Sequence, residues 1–308
     1  MRDRFAPQTM ADPDLLDLYV VILNYNTREL LLACLASLRE QRGLRFETCV
    51  VDNASTDGSA DAVAEAFPDV RLVRSPVNGG FSAGNNLGLR AAGWPDAGNA
   101  RHILLLNPDT VVPAGALAGL VAFTDAHPDV GVTGPRLLLM DGTLDKACRR
   151  GFPTPAAAFY RLSGLSKLFP RSPRFGRYNM TYLPEDAQAD VDSVVGACML
   201  VRGEAVRACG LMDERFFMYG EDIDWCLRVK KVGYRVVYFP DVIVHHIKRA
   251  ASRLSPKAQY EFQRAMWLFY DKHYRRSTAA PLDLLVRLGL MLRGGRRLAG
   301  EIWRGKTA

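Results

Sequence analysis

Three strand-like runs each end in a knot of polar residues, and this pattern constrains the fold most. Residues 19–23, Tyr-Val-Val-Ile-Leu, run into Asn24-Tyr25-Asn26. Residues 46–51 run into Asp52-Asn53, and residues 103–106, Ile-Leu-Leu-Leu, run into Asn107-Pro108-Asp109. Apolar runs without alternation suit strands buried on both faces, as in a parallel sheet covered by helices on either side. Helical spacing fills the gaps. Leu31, Cys34, Leu35 and Leu38 form one stripe over residues 28–41, with Thr27 placed to cap the start and Gly43 to end it. Helices also fit 59–66, 82–91 and 114–126, and a further strand fits 70–73. Strand and helix alternating at this spacing predict a doubly wound α/β fold. Such sheets bind ligands beyond the carboxyl ends of their strands, where all three polar loops would meet. Asn-Pro-Asp reads equally as a plain turn, but its position puts Asp109 at that crevice.

The later chain is less regular. Residues 146–188, rich in Pro, Gly, Arg and aromatics, read as a long irregular insertion near the site. Strands are expected at 191–195, 197–201, 235–239 and 242–246. A helix is expected over 221–231 with Gly233 as its stop, and an amphipathic helix over 256–274. The expected organisation is a flexible tail at 1–17, one α/β domain at 18–255 and basic amphipathic helices at 256–308. The domain divides into halves at about 18–135 and 136–255.

Charge and length narrow the function classes. The net charge of +7 is concentrated at the C-terminus, where Arg287, Arg293, Arg296, Arg297, Arg304 and Lys306 face only Asp283 and Glu301. Leu282, Leu285, Val286, Leu288, Gly289 and Leu292 lie near one face at helical spacing, and Gly294-Gly295 should break the helix. A nucleic-acid binder would spread its basic residues over the domain. This tail suits either a membrane surface or packing on the domain or a second subunit. No apolar run reaches the roughly 18 residues that a spanning helix needs. Residues 1–17 carry Asp3, Asp12, Asp14 and Asp17 and lack the apolar segment of a signal peptide. The six cysteines form no C-x-x-C pair and sit mostly in apolar runs, as reduced, buried thiols of a cytoplasmic protein do.

Three stretches are candidates for chemistry. In residues 77–88, Val-Asn-Gly-Gly-Phe-Ser-Ala-Gly-Asn-Asn-Leu-Gly, the glycines permit either a tight turn or a phosphate contact at the following helix start. In residues 216–228, Glu221, Asp222 and Asp224 crowd a helix start behind Phe216, Phe217, Met218 and Tyr219. Carboxylates there either serve the helix dipole or include a base for a hydroxyl nucleophile. In residues 242–249, His245 and His246 end a strand and point to opposite faces, so only one can reach the crevice. That histidine is either structural or part of a metal site with Asp109.

Together and in this order, these stretches resemble the family 2 glycosyltransferases with the GT-A fold, a Rossmann-like, mostly parallel sheet flanked by helices. The matching segments are VVILNYN, VDNASTDGS, NGGFSAGNN, LLLNPDT, GACMLVR and FFMYGEDIDWCLR, and the likeness extends to His246. The likeness is greatest to rhamnosyltransferase-type bacterial enzymes of cell-surface glycans. The resemblance implies an inverting enzyme that uses a nucleotide-diphospho-sugar donor, dTDP-rhamnose or a UDP-sugar. It implies a divalent cation, Mg2+ or Mn2+, and a glycan or lipid-linked acceptor. Asn24, Asp52 and Asn53 match positions lining the nucleotide, and Asn78, Gly79, Gly80 and Asn85 match the loop bordering the donor. Asp109 matches the last acidic residue of the D-x-D element and so a metal ligand, and His246 matches a second ligand. Asp222 matches the catalytic base. Asn107 and Pro108 replace the earlier acidic residues of D-x-D, which leaves fewer carboxylates for the cation.

The rivals fit less well. A nicotinamide oxidoreductase needs a Gly-rich turn directly after the first strand, where Asn-Tyr-Asn-Thr stands. A nucleotidyltransferase needs an early Gly- and Lys/Arg-rich phosphate loop. A non-catalytic sugar-nucleotide-binding or membrane-docking relative would be free to lose Asp109 or Asp222, and both are present.

Overall fold

The computed structural model describes residues 15–248 and 255–304. Its first half is the expected alternation: β1 (Leu16–Asn24), α1 (Arg28–Arg39), β2 (Phe46–Asp52), α2 (Ser59–Ala66), β3 (Arg71–Arg74), α3 (Gly80–Ala91) and β4 (Ala100–Leu106). β1 lies between β2 and β4, parallel to both, and β3 extends the sheet beyond β2. Ile22 and Leu104 have no exposed surface, because helices cover both faces of the sheet. α3 lies directly on β1: a Cβ added at Gly84 would stand 2.3 Å from Leu23 Cδ1.

Several boundaries differ from the expectation for physical reasons. β1 starts at Leu16, inside the expected tail, with Asp17 pairing with Arg101 at 2.7 Å; the rest of that tail, with Asp3, Asp12 and Asp14, lies outside the described residues. Thr27 occupies the cap position of α1, but its hydroxyl donates to Asn24 Oδ1 at 2.6 Å instead of accepting from the helix. α1 stops at Arg39, because Gln41 turns inward to donate to the Val112 and Pro113 carbonyls. α4 (Ala116–Ala126) starts only after Gly115, which takes φ 80°.

The second half adds β5 (Thr110–Val111), β6 (Val130–Leu138), β7 (Ala189–Asp190), β8 (Cys198–Arg202) and β9 (Arg235–His246). The sheet order is β3-β2-β1-β4-β8-β6-β9-β5, with β7 also on β9. β8 runs antiparallel between β4 and β6, and β5 and β7 are antiparallel to β9. The long ladders, β1 with β2 and β6 with β9, are parallel. The two strands expected at 235–239 and 242–246 are the single strand β9, its register against β6 shifting after Phe239. Residues 191–195 do not form the expected strand. Ser193 bridges instead to Arg150 through two 2.9 Å backbone hydrogen bonds.

The insertion at 146–188 is more ordered than its composition suggests. It holds α5 (Pro155–Leu162), capped by the Thr154 hydroxyl accepting from Ala157 N at 3.2 Å, and the short α6 (Leu165–Leu168). α7 (Gly203–Cys209), α8 (Glu221–Lys231), α9 (Pro256–His273) and α10 (Ala280–Arg304) complete the chain. α10 breaks at Gly295 (φ 72°), where the sequence places the break. Beyond it, Leu298 and Ile302 pack against Trp267 and Tyr270 of α9. Before it, Leu282, Leu284, Leu285, Leu288 and Leu292 stay exposed. Among the described residues no helix is long and apolar enough to cross a membrane.

Candidate active site

The parallel register sets Asn24 beside Asp52 at the carboxyl ends of β1 and β2. Asn24 Nδ2 donates to Asp52 Oδ1 at 3.1 Å and to Ser55 Oγ at 3.0 Å, and Ser55 N donates to Asp52 Oδ2 at 3.0 Å. Asn53 Nδ2 donates to Asn78 Oδ1 at 2.9 Å, and its Oδ1 accepts from Gly79 N at 3.1 Å. Asn24, Asp52 and Asn53 are all buried. They therefore bind the two loops to each other, which fixes the floor of the crevice. Asn85 is also buried, one turn into α3, and donates to the Phe81 carbonyl at 2.9 Å.

Three amides at the start of α3 are taken by the protein itself. Gly79 N goes to Asn53, Gly80 N to Asn78 Oδ1 at 3.0 Å, and Phe81 N to the Phe217 carbonyl at 2.6 Å. The glycines serve close approach. Gly80 holds φ 85°, and a Cβ there would stand 2.3 Å from Phe217 O. The loop bordering the expected donor is thereby locked to the segment that leads into α8.

Asp109 and His246 are brought together by strand pairing. β5 sets Thr110 opposite His246, and Ile247 N donates to the Asp109 carbonyl at 2.8 Å. His246 Nε2 lies 3.3 Å from Asp109 Oδ1, and its Nδ1 lies 3.0 Å from Asp145 Oδ2. Lys248 Nζ completes the group at 2.7 Å from Asp145 Oδ1. Burial opposes a charged imidazole, but the two carboxylates outweigh it and raise the His246 pKa to about 8. Burial would raise the Asp145 carboxyl, yet His246 and Lys248 hold it well below the usual carboxylate range. His245 takes the alternate register position, opposite Val111. Among the described residues no cluster of three or more His, Cys, Asp or Glu side chains is arranged to hold a metal. Asp109 and His246 Nε2 are the residues that could hold a hard divalent cation here. Asp145, on Nδ1, would then fix the ring of that histidine.

The acidic start of α8 divides into two functions. Asp224 is structural: it pairs with Arg228 at 2.9 Å, His273 at 2.7 Å and Lys272 at 2.8 Å, and so joins α8 to α9. Asp222 turns instead toward the insertion. Its Oδ2 accepts from an Arg150 guanidinium nitrogen at 2.6 Å and from Gly196 N at 3.2 Å, and its Oδ1 accepts from Ile223 N at 2.7 Å. Burial opposes the Arg150 charge, and Asp222 more than restores it. Burial, then the adjacent Asp222 charge, pushes the Glu221 carboxyl up, and Glu221 Oε2 is buried without a hydrogen-bond partner.

The chain from Gly196 to Ala197 links Asp222 to the end of β4, two residues before Asp109. Gly196 N holds Asp222, and the Ala197 carbonyl accepts from Asn107 N at 2.9 Å at the end of β4. A Cβ on Gly196 would meet Phe81 at 3.1 Å, so the start of α3 also closes on this point. Arg150 and Asp145 were not among the sequence candidates. Each acts across a long separation, 72 positions from Asp222 and 101 from His246, and no local pattern marks such a pairing.

Comparison with known proteins follows this geometry. The profile of glycosyl transferase family 2 matches residues 19–184, and that of glycosyl transferase family group 2 matches 102–269. The N-acetylglucosaminyl-diphospho-decaprenol L-rhamnosyltransferase of Mycobacterium tuberculosis is 28% identical over 281 residues, covering 89% of this chain and 90% of that protein. A dTDP-rhamnosyl transferase of Shigella flexneri is 23% identical, covering 88% and 84%. Among solved structures, a mannosyltransferase from Pyrobaculum calidifontis in complex with GDP-Man and Mn2+ superposes with a TM-score of 0.58 at 20% identity. That match covers 98% of this chain and 77% of the other. The structural likeness supports the GT-A fold, and the profile match over more than half of the sequence settles the family. The chain belongs to glycosyl transferase family 2.

Proposed function

We propose that this protein is an inverting glycosyltransferase that moves a sugar from a nucleotide-diphospho-sugar to a hydroxyl of a glycan or lipid-linked acceptor in cell-surface polysaccharide synthesis. The observation that carries this reading is the buried Asp222 carboxylate, held by Arg150 and Gly196 N, with the Gly196–Ala197 chain joining it to the end of β4 that leads to Asp109. A carboxylate has about four lone-pair positions. Three are filled by protein donors, which leaves one for the acceptor hydroxyl. Asp222 takes that proton as the hydroxyl oxygen attacks the anomeric carbon and the diphosphate departs. One displacement without a protein nucleophile inverts the anomeric centre. The cysteines do not compete for that role, since burial pushes the Cys34 and Cys226 thiols up to about 12. A cation, Mg2+ or Mn2+, held by Asp109 and His246 would neutralise the charge growing on the diphosphate.

The names of the relatives favour dTDP-rhamnose as donor and a lipid-diphosphate acceptor. With a lipid-linked acceptor, the enzyme would work from the cytoplasm, peripheral on the inner face of the membrane. The exposed leucines of α10, with Arg293, Arg296 and Arg297, suit that surface. The test is a donor panel of dTDP-rhamnose, UDP-galactofuranose, UDP-glucose and UDP-GlcNAc, with and without Mn2+, read by product mass. Transfer from one donor with inversion is expected. Donor binding without transfer to any lipid-linked or soluble acceptor would favour a non-catalytic binding protein instead.

A further inference from the structure

A groove of about 430 Å3 lies between α5, α9 and α10. Ala158 and Leu162 line it from α5, Phe262 and Met266 from α9, and Leu285 and Gly289 from α10. Two of its lining residues touch sequence neighbours of the candidate site residues. Tyr178 accepts through its carbonyl from Gly151 N at 2.9 Å, one residue from the Arg150 that holds Asp222. Phe262 meets the Tyr219 ring edge-on, centroids 5.8 Å apart, two residues before Glu221. Tyr219 itself holds φ 72°, a left-handed conformation that non-glycine residues keep mainly where the surroundings demand it.

The groove is apolar inside and cationic at its edge. Arg161 and Arg293 line it, and neither pairs with a carboxylate among the described residues. The Arg161 guanidinium lies over the Tyr178 ring, 5.1 Å from its centroid. Phe159 and Leu162 of α5 and Leu282 of α10 line it while remaining exposed, and Leu292 is exposed beside it. An apolar groove with a cationic edge, joined through Tyr178 and Phe262 to the segments that carry Arg150 and Glu221, has the chemistry of a ligand with a hydrocarbon chain and an anionic head.

We propose that this groove takes the hydrocarbon chain of a lipid-linked acceptor, with its phosphate near Arg161 and Arg293 and its sugar toward Asp222. The last clause rests on the catalytic reading above; the chain site does not. Each buried methylene is worth about fourfold in affinity. The chain is therefore expected to dominate binding.

The test uses calorimetry on the full chain with hexyl phosphate, dodecyl phosphate below its micelle concentration, dodecyl maltoside and inorganic phosphate. Dodecyl phosphate should bind at least tenfold more tightly than hexyl phosphate and more tightly than the neutral maltoside. Inorganic phosphate should not displace it. Gly289→Phe should weaken dodecyl phosphate at least tenfold. A Cβ at Gly289 meets nothing within 4 Å, so the ring can fill the groove without moving backbone. Ala158→Trp fills it from the opposite wall and serves if the first variant fails to fold. Asp222→Asn should bind dodecyl phosphate as the wild type does, which separates failure of the chain site from failure of the catalytic assignment. Flotation with anionic vesicles should survive Gly289→Phe. Dodecyl phosphate binding indifferent to both filling variants overturns the proposal. So does loss of flotation in Gly289→Phe, which assigns the groove to bilayer lipid. A dimer that Gly289→Phe dissociates overturns it too, by making the groove a subunit interface.

Discussion

Replacing Arg150 with methionine removes the cation from a pair whose side chains are only 12% and 7% exposed. Two donors would remain on Asp222, the Gly196 and Ile223 amides. A buried carboxylate that keeps its charge without its partner costs about 3–5 kcal/mol. That is a large part of the roughly 5–15 kcal/mol that holds a typical domain together. The same change leaves the base without the donor that aims it. Arg150→Met should therefore lower the denaturant midpoint and reduce kcat by roughly 10²–10⁴-fold. Arg150→Lys keeps the charge without the planar fork and should fall between. In a double-mutant cycle, Arg150→Met should add little to Asp222→Asn, because both remove the same interaction. The assays are urea melts and initial rates. An Arg150→Met protein with wild-type midpoint and kcat would refute the reasoning.

Gly80→Ala forces a side chain onto a residue at φ 85°, 2.3 Å from the Phe217 carbonyl, and should cost at least about 1–2 kcal/mol in a melt, with weaker donor binding. Equal stability would mean that the link between the α3 start and the α8 approach is slack. Glu221 shows the opposite pH sign from a salt-bridged carboxylate. Its folded pKa is raised above the ordinary 4.5, so the folded chain keeps a proton that the unfolded chain releases, and stability falls as pH rises past that value. Glu221→Gln should match the wild type near pH 4.5 and melt higher at pH 8; a lower melt at pH 8 would contradict the burial argument. Leu285→Ser with Leu292→Ser, at sites 65% and 84% exposed, should leave the melt unchanged and abolish flotation with anionic vesicles. Wild-type flotation should also fade with salt, as screened attraction to arginine does; vesicle binding unaffected by the double change would remove α10 from the membrane reading.

The parts of the fold legible in the sequence are those whose cause is local. Residues 19–23 and 103–106 are buried on both faces, so their strands show as unbroken apolar runs. Gly295 takes positive φ, so the break in α10 shows as a glycine pair. β6 was not legible: Gly131, Gly134 and Pro135 interrupt its pattern, and its identity comes from pairing with β9. α5 carried a readable signal, Thr154 followed by Pro155 at the helix start, hidden in a segment of irregular composition. At the site, strand register alone puts Asp109 near His246 and Asn24 beside Asp52. The glycine-rich loop left a tight turn and a phosphate contact both open, and the structure uses its first amides for the turn, on Asn53, Asn78 and Phe217. Arg150 arrives from the insertion and Asp145 from the segment after the turn that follows β6, and only the tertiary structure joins them to Asp222 and His246.

The most direct measurement of the central claim is single-turnover sugar transfer by Asp222→Asn, with donor affinity measured in parallel and Glu221→Gln as the comparison. The account gives wild-type donor affinity, a rate lower by roughly 10²–10⁴-fold, and a product of inverted anomeric configuration from the residual turnover. Near wild-type transfer by Asp222→Asn, with the loss falling on Glu221→Gln instead, would contradict it.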